Sequence, residues 1–198
     1  MTTFVLATAN PHKVKEMRSV LVPLGIEVLE RPRNVPDVEE TESTLEGNAL
    51  LKARALCGAT GVAAISDDTG LFIDALDGRP GVWSARYAGE GATYADNVQK
   101  ALRELDDVPD EQRGARFSSV IAVAFPDGLS WWVEGSLEGM ITRAPRGENG
   151  FGYDPIFAPD GLGGRTLAEL TADEKNDVSH RGRALRALAE KVLSSSDL

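Results

Sequence analysis

Two adjacent carboxylates, Asp67 and Asp68, follow an apolar run from Val62 to Ile65 and are well suited to chemistry. The run predicts a buried strand, and open α/β sheets usually bind ligands beyond the carboxyl ends of such strands. Because side chains alternate across a strand, we expect one carboxylate to face a ligand and the other to brace the backbone. Carboxylate oxygens are suitable ligands for Mg²⁺, and waters and phosphates complete its coordination shell. The alternative is an Asx turn that closes the strand.

A second candidate site is the turn from Thr8 to Lys13, which joins a short apolar strand to a helix. Asn10 is a suitable N-cap, and Pro11 is favoured at the first helical position. The free backbone N–H groups of such a helix start can hold a phosphate, and Lys13 adds positive charge. Many turns of this kind bind nothing, so the signal is weak by itself.

A helix is predicted from the capping box Ser43-Thr44-Leu45-Glu46 to about Ala59. Asn48 and Lys52 are four residues apart and therefore share one face of this helix. Lys52 is a candidate phosphate contact, and an exposed lysine on an amphipathic helix is the alternative.

Two segments near the C-terminus carry further candidates. In the Gly/Pro-rich loop from Thr142 to Asp160, Phe151 and Tyr153 could stack on a purine and Asp154 could accept a hydrogen bond. A packed loop with a tyrosine anchor explains the same residues. Downstream, His180-Arg181 begins the last predicted helix, where the helix dipole is already positive. Two basic residues there indicate that an anion or an electron-rich base lies close by.

Composition limits the classes of function. The 198 residues are 42% hydrophobic and 26% charged, which predicts one globular domain over 1–198 without a separable linker. The net charge of −10 disfavours a nucleic-acid partner, whereas a small anion requires only a local cluster of cations or a metal. No apolar run is long enough for a membrane span, and the first residues do not resemble a secretory leader. The single cysteine, Cys57, predicts a core position and a reducing, cytoplasmic location.

The elements that must position these groups alternate between strands and helices. The predicted strands are Phe4–Ala7, Ile26–Leu29, 62–65, 116–125 and 130–138. The predicted helices are 11–24, 44–59, 70–76 with Thr69 as its cap, 93–105, 167–177 and the last helix from Ser179.

The 24 residues from Ser66 to Gly89, SDDTGLFIDALDGRPGVWSARYAG, closely resemble the signature of the inosine triphosphate pyrophosphatase family. Four further segments resemble that family and lie in the same order along the chain. These are the Thr8–Lys13 turn, Asn48 with Lys52, GFGYDPIF from Gly150 to Phe157, and Lys175 followed by SHRG from Ser179. Ala9, Gly47 and Trp83 depart from the family pattern.

The resemblance implies a fold and a reaction. The fold is mixed α/β, with a long curved central sheet flanked by helices, two lobes with a substrate cleft between them, and assembly as a homodimer. The reaction is Mg²⁺-dependent hydrolysis of non-standard purine nucleoside triphosphates, such as ITP, dITP and XTP, to the monophosphate and pyrophosphate.

The resemblance also implies roles for individual residues. Asp68 is the catalytic base and, with Glu39, binds Mg²⁺; Glu40 is the neighbour that could take the role of Glu39. The implied substrate-binding residues are Thr8, Ala9, Asn10, Pro11, His12, Lys13, Lys52, Thr69, Phe151, Gly152, Tyr153, Asp154, Lys175, His180 and Arg181.

Two other functions remain open at this point. A nucleotide-binding regulatory module would keep the glycine loop and the basic residues but would not need the acidic pair Asp68 and Glu39. A different Mg²⁺-dependent phosphohydrolase would release orthophosphate instead of pyrophosphate.

Overall fold

The computed structural model describes residues 2–194 and has a mixed α/β fold, as the sequence predicts. The strands are β1 Thr2–Leu6, β2 Ile26–Leu29, β3 Ala64–Ile73, β4 Pro80–Gly81, β5 Gly114–Ala124, β6 Ser130–Ile141 and β7 Phe157–Pro159. The α-helices are α1 Pro11–Leu21, α2 Leu45–Thr60, α3 Tyr94–Glu104, α4 Ala172–Val178 and α5 His180–Ser194.

The strands of these residues form one seven-stranded sheet in the order β2-β1-β3-β5-β6-β7, and β4 pairs with β3 outside this path. Strand β1 is parallel to β2, with Thr2 opposite Ile26, and parallel to β3, with Val5 opposite Ala64. Strand β4 is antiparallel to β3, and β7 is antiparallel to β6. The carboxyl ends of β1 and β2 therefore lie together at one edge, where open α/β sheets bind ligands, and β1 ends opposite Ile65 in the first part of β3.

The chain alternates between two compact units. The first unit contains residues 2–68, 119–135 and 180–194, and the second contains Thr69–Ser118 and Ser136–Ser179. Each unit has its own apolar core. In the first, residues of β1, α1 and α5 are fully buried; they include Phe4, Leu6, Met17, Leu21, Leu185 and Leu188. In the second, the core includes Leu71, Ile73, Leu105, Ile156, Phe157 and Leu167.

Helix α1 is shorter than the sequence predicts. The α-helix ends at Leu21, and a 3₁₀ turn continues over Val22–Leu24. Pro23 has no backbone N–H, so it cannot continue the α-helical hydrogen bonds. Gly25, with φ 82°, then ends the segment in the left-handed conformation that glycine adopts without strain.

The predicted helix over 70–76 is wrong, because β3 continues through this segment to Ile73. The backbone N–H of Leu71 donates to Ser84 Oγ at 2.9 Å, and β4 pairs with this half of the strand. Gly70 lies so close to β4 that a Cβ there would be 2.7 Å from the Gly81 carbonyl oxygen. Only a 3₁₀ turn forms afterwards, at Asp74–Leu76. Asp67, Asp68 and Thr69 are consequently strand residues, and Thr69 is not a helix cap.

The predicted helix over 167–177 is divided into a 3₁₀ turn, Leu167–Glu169, and α4. Each part has its own capping box, formed by Thr166 with Glu169 and by Thr171 with Glu174. Helix α4 therefore begins with its own N-cap, Thr171, and does not continue the 3₁₀ turn.

The other predicted elements agree with the structure within a few residues, and Cys57 is buried in the core. Strands β4 and β7 were not predicted, and β7 lies in the segment from Thr142 to Asp160 that was predicted as a loop. Helix α2 begins one residue later than predicted, because Thr44 is its N-cap and accepts a hydrogen bond from the Gly47 N–H. None of the helices in residues 2–194 combines the length and the apolar character that a membrane span needs.

Candidate active site

The turn between β1 and α1 is ordered by its own side chains. Thr8 Oγ1 accepts a hydrogen bond from the Asn10 N–H at 3.1 Å, and Asn10 Oδ1 accepts from the His12 N–H at 3.0 Å. Pro11 occupies the first helical turn, where a missing N–H costs nothing. The helix start is therefore the one that the sequence predicts, and it places Lys13 in the first turn with its side chain 19% exposed.

Asn48 holds the loop that precedes α2. Its buried side-chain amide accepts from the Glu42 N–H at 3.0 Å and donates to the Glu42 carbonyl at 3.2 Å. One helical turn later, Lys52 Nζ donates to Glu40 Oε1 at 2.7 Å and to Asp68 Oδ1 at 2.8 Å. The shared face of Asn48 and Lys52 thus fixes the loop and brings Glu40 towards Asp68.

Asp68 has the properties of a reactive carboxylate. Its Oδ2 atom is buried and has no hydrogen-bond partner. Burial raises the pKa of Asp68, Lys52 opposes this shift, and the charge of Glu40 adds to it, which brings the pKa to about 6. Lys52 meanwhile holds the pKa of Glu40 below its usual value against the effect of burial. A carboxyl group with a raised pKa and an uncommitted oxygen is typical of a general base or a metal ligand.

Asp67 has a different role. Its side chain is fully buried, 3.0 Å from Lys13 Nζ and 3.1 Å from Arg181 Nη2. Arg181 Nη1 also pairs with Glu16 Oε2 at 2.5 Å. Burial alone would raise the pKa of Asp67, but Lys13 and Arg181 together hold it well below its usual range. Asp67 is thus a fixed negative charge that positions Lys13.

The same ion pairs explain the basic start of α5. The sequence predicts an anion near His180-Arg181. In the structure, Arg181 forms ion pairs with two carboxylates of its own chain, those of Asp67 and Glu16. Burial lowers the pKa of Arg181 by itself, yet these two partners raise it overall. His180 is 2% exposed. The predicted contact of His180 and Arg181 with a purine stays a prediction.

The residues around Asp68 fit a small divalent cation. Among residues 2–194, no three His, Cys, Asp or Glu side chains are grouped as a metal site built from protein alone would require. Mg²⁺ needs only one or two carboxylates when waters and substrate phosphates supply the other ligands. Asp68 and Glu40 both bind the Lys52 ammonium and are therefore close enough to each other to act as such a pair. Glu39 is exposed, and its predicted role as a metal ligand stays a prediction.

A cavity of about 240 Å³ lies beside this cluster in the first unit. Its lining includes Thr8, Ala9, Lys13, Glu40, Lys52 and Asp67. Asp68 is not part of the lining, although Lys52 joins it to the cavity. Arg31 and Asp37 also line the cavity, and the sequence analysis did not identify them. The position of Arg31, two residues after β2, was the available signal, because ligands bind at the carboxyl ends of parallel strands.

The second unit contains a separate cluster built on the glycine-rich loop. Asp154 Oδ2 accepts from Lys175 Nζ at 2.6 Å and from the Phe151 N–H at 2.7 Å. Lys175 Nζ lies 4.7 Å from the centre of the Phe151 ring. Gly150 has φ 76°, and a Cβ there would be 2.1 Å from Asp154 Oδ2, so only glycine fits. The cluster joins a half-buried aromatic ring, a cation and a carboxylate.

Tyr153 is an anchor for this loop. Its side chain is buried, its hydroxyl donates to the Ser84 carbonyl at 2.9 Å, and burial raises its pKa. Tyr153 is therefore a packed anchor and Phe151 is the more exposed of the two rings, and the predicted contact of either ring with a purine stays a prediction. Gly152 and Thr69 are half-buried, and their predicted substrate contacts stay predictions.

The pKa of Asp68 gives a prediction for the ligand-free protein. The Asp68 carboxyl should titrate near pH 6 in carbon-13 NMR of aspartate-labelled protein, and Asp68→Asn should remove that transition. The folded state then binds this proton more tightly than the unfolded chain, whose aspartate pKa is about 4. The stabilising contribution of Asp68 is therefore complete below pH 4 and disappears as the pH rises through 6. A transition below pH 4.5 would contradict this assignment.

Comparisons with known proteins place these features in one family. Residues 4–191 match the model of the Ham1 family. A dITP/XTP pyrophosphatase of Streptomyces coelicolor is 47% identical over 97% of this chain and 98% of its own. The structure of a Ham1 protein from Coxiella burnetii superposes with a TM-score of 0.89 at 44% identity, covering 98% of this chain and 100% of that one. A nucleoside-triphosphatase, named dITP/XTP pyrophosphatase, from Mycobacterium abscessus superposes with a TM-score of 0.75 at 47% identity, covering 94% and 98%.

Proposed function

Because the chain belongs to the Ham1 family, we propose that it hydrolyses non-standard purine nucleoside triphosphates, such as dITP and XTP, to the monophosphate and pyrophosphate. The names of its full-length relatives support the reaction. The observation that carries the proposal is the state of Asp68, a buried carboxyl with a pKa of about 6 and an uncommitted Oδ2, next to cations that can bind phosphate.

The first unit supplies the groups that bind phosphate. Thr8 and Ala9 of the turn before α1, together with Lys13 and Lys52, line the 240 Å³ cavity. Preorganised cations and dipoles of this kind stabilise the charge that develops on phosphoryl oxygens. They also provide the local positive charge that a substrate needs on a chain with a net charge of −10.

We assign Mg²⁺ to Asp68 and Glu40. When bound, the ion would neutralise phosphate oxygens and lower the pKa of a bound water. Asp68 would position the attacking water and accept its proton, which a carboxylate with a pKa near the working pH does efficiently. Lys52 keeps both carboxylates close together through its two hydrogen bonds.

In the second unit, the cluster of Phe151, Asp154 and Lys175 has the chemistry to recognise a purine. The ring of Phe151 provides a stacking face, and the ammonium of Lys175 is a donor that suits a 6-oxo group. Adenine presents an amino group at this position, which would leave two donors facing each other without an acceptor. Unpaired buried polar groups are costly, so such a site discriminates strongly against adenine.

Replacing Lys175 should therefore reduce selectivity. We expect Lys175→Met to lower kcat/KM for dITP by roughly 10- to 100-fold, because a hydrogen bond to a charged donor is lost, and to lower it less for dATP. The ratio of kcat/KM for dITP to that for dATP is the measurement. Lys100→Met, which removes a half-buried partner of Glu104 in the same unit, is the matched control and should leave the ratio unchanged. An equal loss for both nucleotides would contradict the role of Lys175.

The function is tested by comparing kcat/KM for dITP and XTP with those for dATP and dGTP, with Mg²⁺ and after its removal by a chelator. We expect a strong preference for the first two substrates and loss of turnover without the metal. Tight binding without turnover would favour a regulatory nucleotide-binding module. The homodimer and the cytoplasmic location stay predictions.

A further inference from the structure

We propose that Arg31 is a further phosphate-binding residue of the first unit, and that Asp37 occupies its guanidinium group until the phosphate arrives. The identity of the ligand, the pyrophosphate portion of a nucleoside triphosphate, rests on the function proposed above. The place of Arg31 in the fold does not depend on that function.

The first support is the position of Arg31 in the sheet. It follows β2 by two residues, as the Thr8–Lys13 turn follows the parallel neighbour β1. Both segments therefore leave the same edge of the sheet. Arg31 lines the 240 Å³ cavity together with Lys13 and Lys52, and it also lines an adjoining cavity of about 400 Å³. The two cavities share Thr8, Ala9, Arg31, Val35 and Asp37, so the Arg31–Asp37 pair lies where they meet.

The second support is the geometry of the guanidinium group. Arg31 Nη2 donates to the Val35 carbonyl at 3.0 Å, which fixes the plane of the group. Nη1 pairs with Asp37 Oδ1. The Arg31 side chain is 12% exposed, whereas that of Asp37 is 87% exposed. An ion pair with so exposed a carboxylate adds little to stability, because water screens it. Asp37 can therefore be displaced at low cost, while the anchored arginine stays in place.

The third support is the charge of the cavity lining. Three cations, Lys13, Arg31 and Lys52, face three carboxylates, Asp37, Glu40 and Asp67. Asp67 is buried, and Glu40 is held by Lys52, so Asp37 is the carboxylate free to leave. Its departure would give the cavity an excess of positive charge. A planar guanidinium then offers paired N–H donors to phosphate oxygens, a geometry that arginine provides and lysine does not.

The two members of the pair should behave in opposite ways when replaced. Inorganic pyrophosphate is the probe, and its Kd is measured by titration calorimetry with Mg²⁺ present. We expect Arg31→Ala to weaken binding roughly ten- to hundredfold, because hydrogen bonds from a charged donor are lost. Asp37→Asn should bind pyrophosphate as tightly as the wild type, or more tightly, because the competing carboxylate is gone.

Two further variants complete the experiment. Arg54→Ala removes an exposed arginine of the same unit that donates to Ser130 Oγ, and it should leave the Kd unchanged. Arg31→Lys keeps the positive charge but lacks the paired N–H donors of the guanidinium group, and it should weaken pyrophosphate binding by a smaller factor than Arg31→Ala. This variant also provides a test if Arg31→Ala does not fold.

Three results would overturn the proposal. The first is wild-type affinity in Arg31→Ala. The second is a loss in Asp37→Asn as large as in Arg31→Ala, which would mean that the pair serves only to fold its loop. The third is a wild-type protein that does not bind pyrophosphate. Because binding is measured without turnover, failure to hydrolyse dITP would refute the proposed function and leave this test intact.

Discussion

Replacing Asp68 by asparagine should lower kcat for pyrophosphate release from dITP by roughly 10²- to 10⁴-fold, the usual contribution of a positioned general base. Asparagine has the same size but can neither accept the proton of the attacking water nor carry the negative charge that holds Mg²⁺. The measurement is the initial rate of pyrophosphate release at saturating dITP and Mg²⁺.

The loss of activity should occur without a loss of stability. The pKa of Asp68 lies above that of an unfolded aspartate, so its ionised form destabilises the fold at pH 7 and the neutral amide should not. Asp127→Asn is the matched control, because Asp127 lies in the exposed turn before β6, where its Oδ1 accepts from the Leu129 N–H and an amide oxygen can do the same. A kcat for Asp68→Asn within threefold of the wild type would contradict the assignment.

Replacing the neighbouring Asp67 by asparagine should mainly reduce stability. The change leaves Lys13 and Arg181 close together without their shared carboxylate. Breaking a buried ion pair in this way costs roughly 3–5 kcal/mol, because an uncompensated charge stays in the interior. For a chain of this length the melting temperature should fall by roughly 6–20 °C. Urea unfolding followed by circular dichroism measures the change in the free energy of unfolding.

The pH dependence gives a second reading of the same variant. The pKa of Asp67 is lower in the folded protein than in the unfolded chain. The contribution of Asp67 to the free energy of unfolding is therefore present above pH 4 and is lost as the pH falls. Asp67→Asn should therefore differ least from the wild type in acid. Asp37→Asn removes an exposed carboxylate from its ion pair with Arg31, and it should lower the free energy of unfolding by at most about 1 kcal/mol. Equal effects of Asp67→Asn and Asp37→Asn at pH 7 would contradict the buried network.

Local signals in the sequence were sufficient for the Thr8–Lys13 turn and for most helix starts. Asn10 followed by Pro11 specifies the start of α1, and Thr93 with Asp96 specifies that of α3, because each cap satisfies backbone groups only a few residues away. The resemblance to the family favoured Asp68 over Asp67 as the catalytic carboxylate, and the structure adds the physical difference between the two side chains.

The features that the sequence did not reveal depend on distant partners. Arg181 meets Asp67 across 114 residues of sequence, and no local pattern predicts that pair. Strand β3 continues past Thr69 because Ser84 and Gly81 lie beside it, so a tertiary contact overrides the apparent helix signal. The choice between Glu39 and Glu40 depends on one residue of register in a loop without periodicity. The structure shows that Glu40 binds Lys52, and the identity of the metal ligand stays a prediction.

The most direct test of the central claim is the identity of the products. Phosphorus-31 NMR of a complete reaction with dITP and Mg²⁺ measures all phosphate species in one sample. We predict dIMP and pyrophosphate in equal amounts, with neither dIDP nor orthophosphate, and no products with Asp68→Asn on the same time scale. Formation of dIDP and orthophosphate by the wild-type protein would contradict the account, because it would show cleavage at the terminal phosphate.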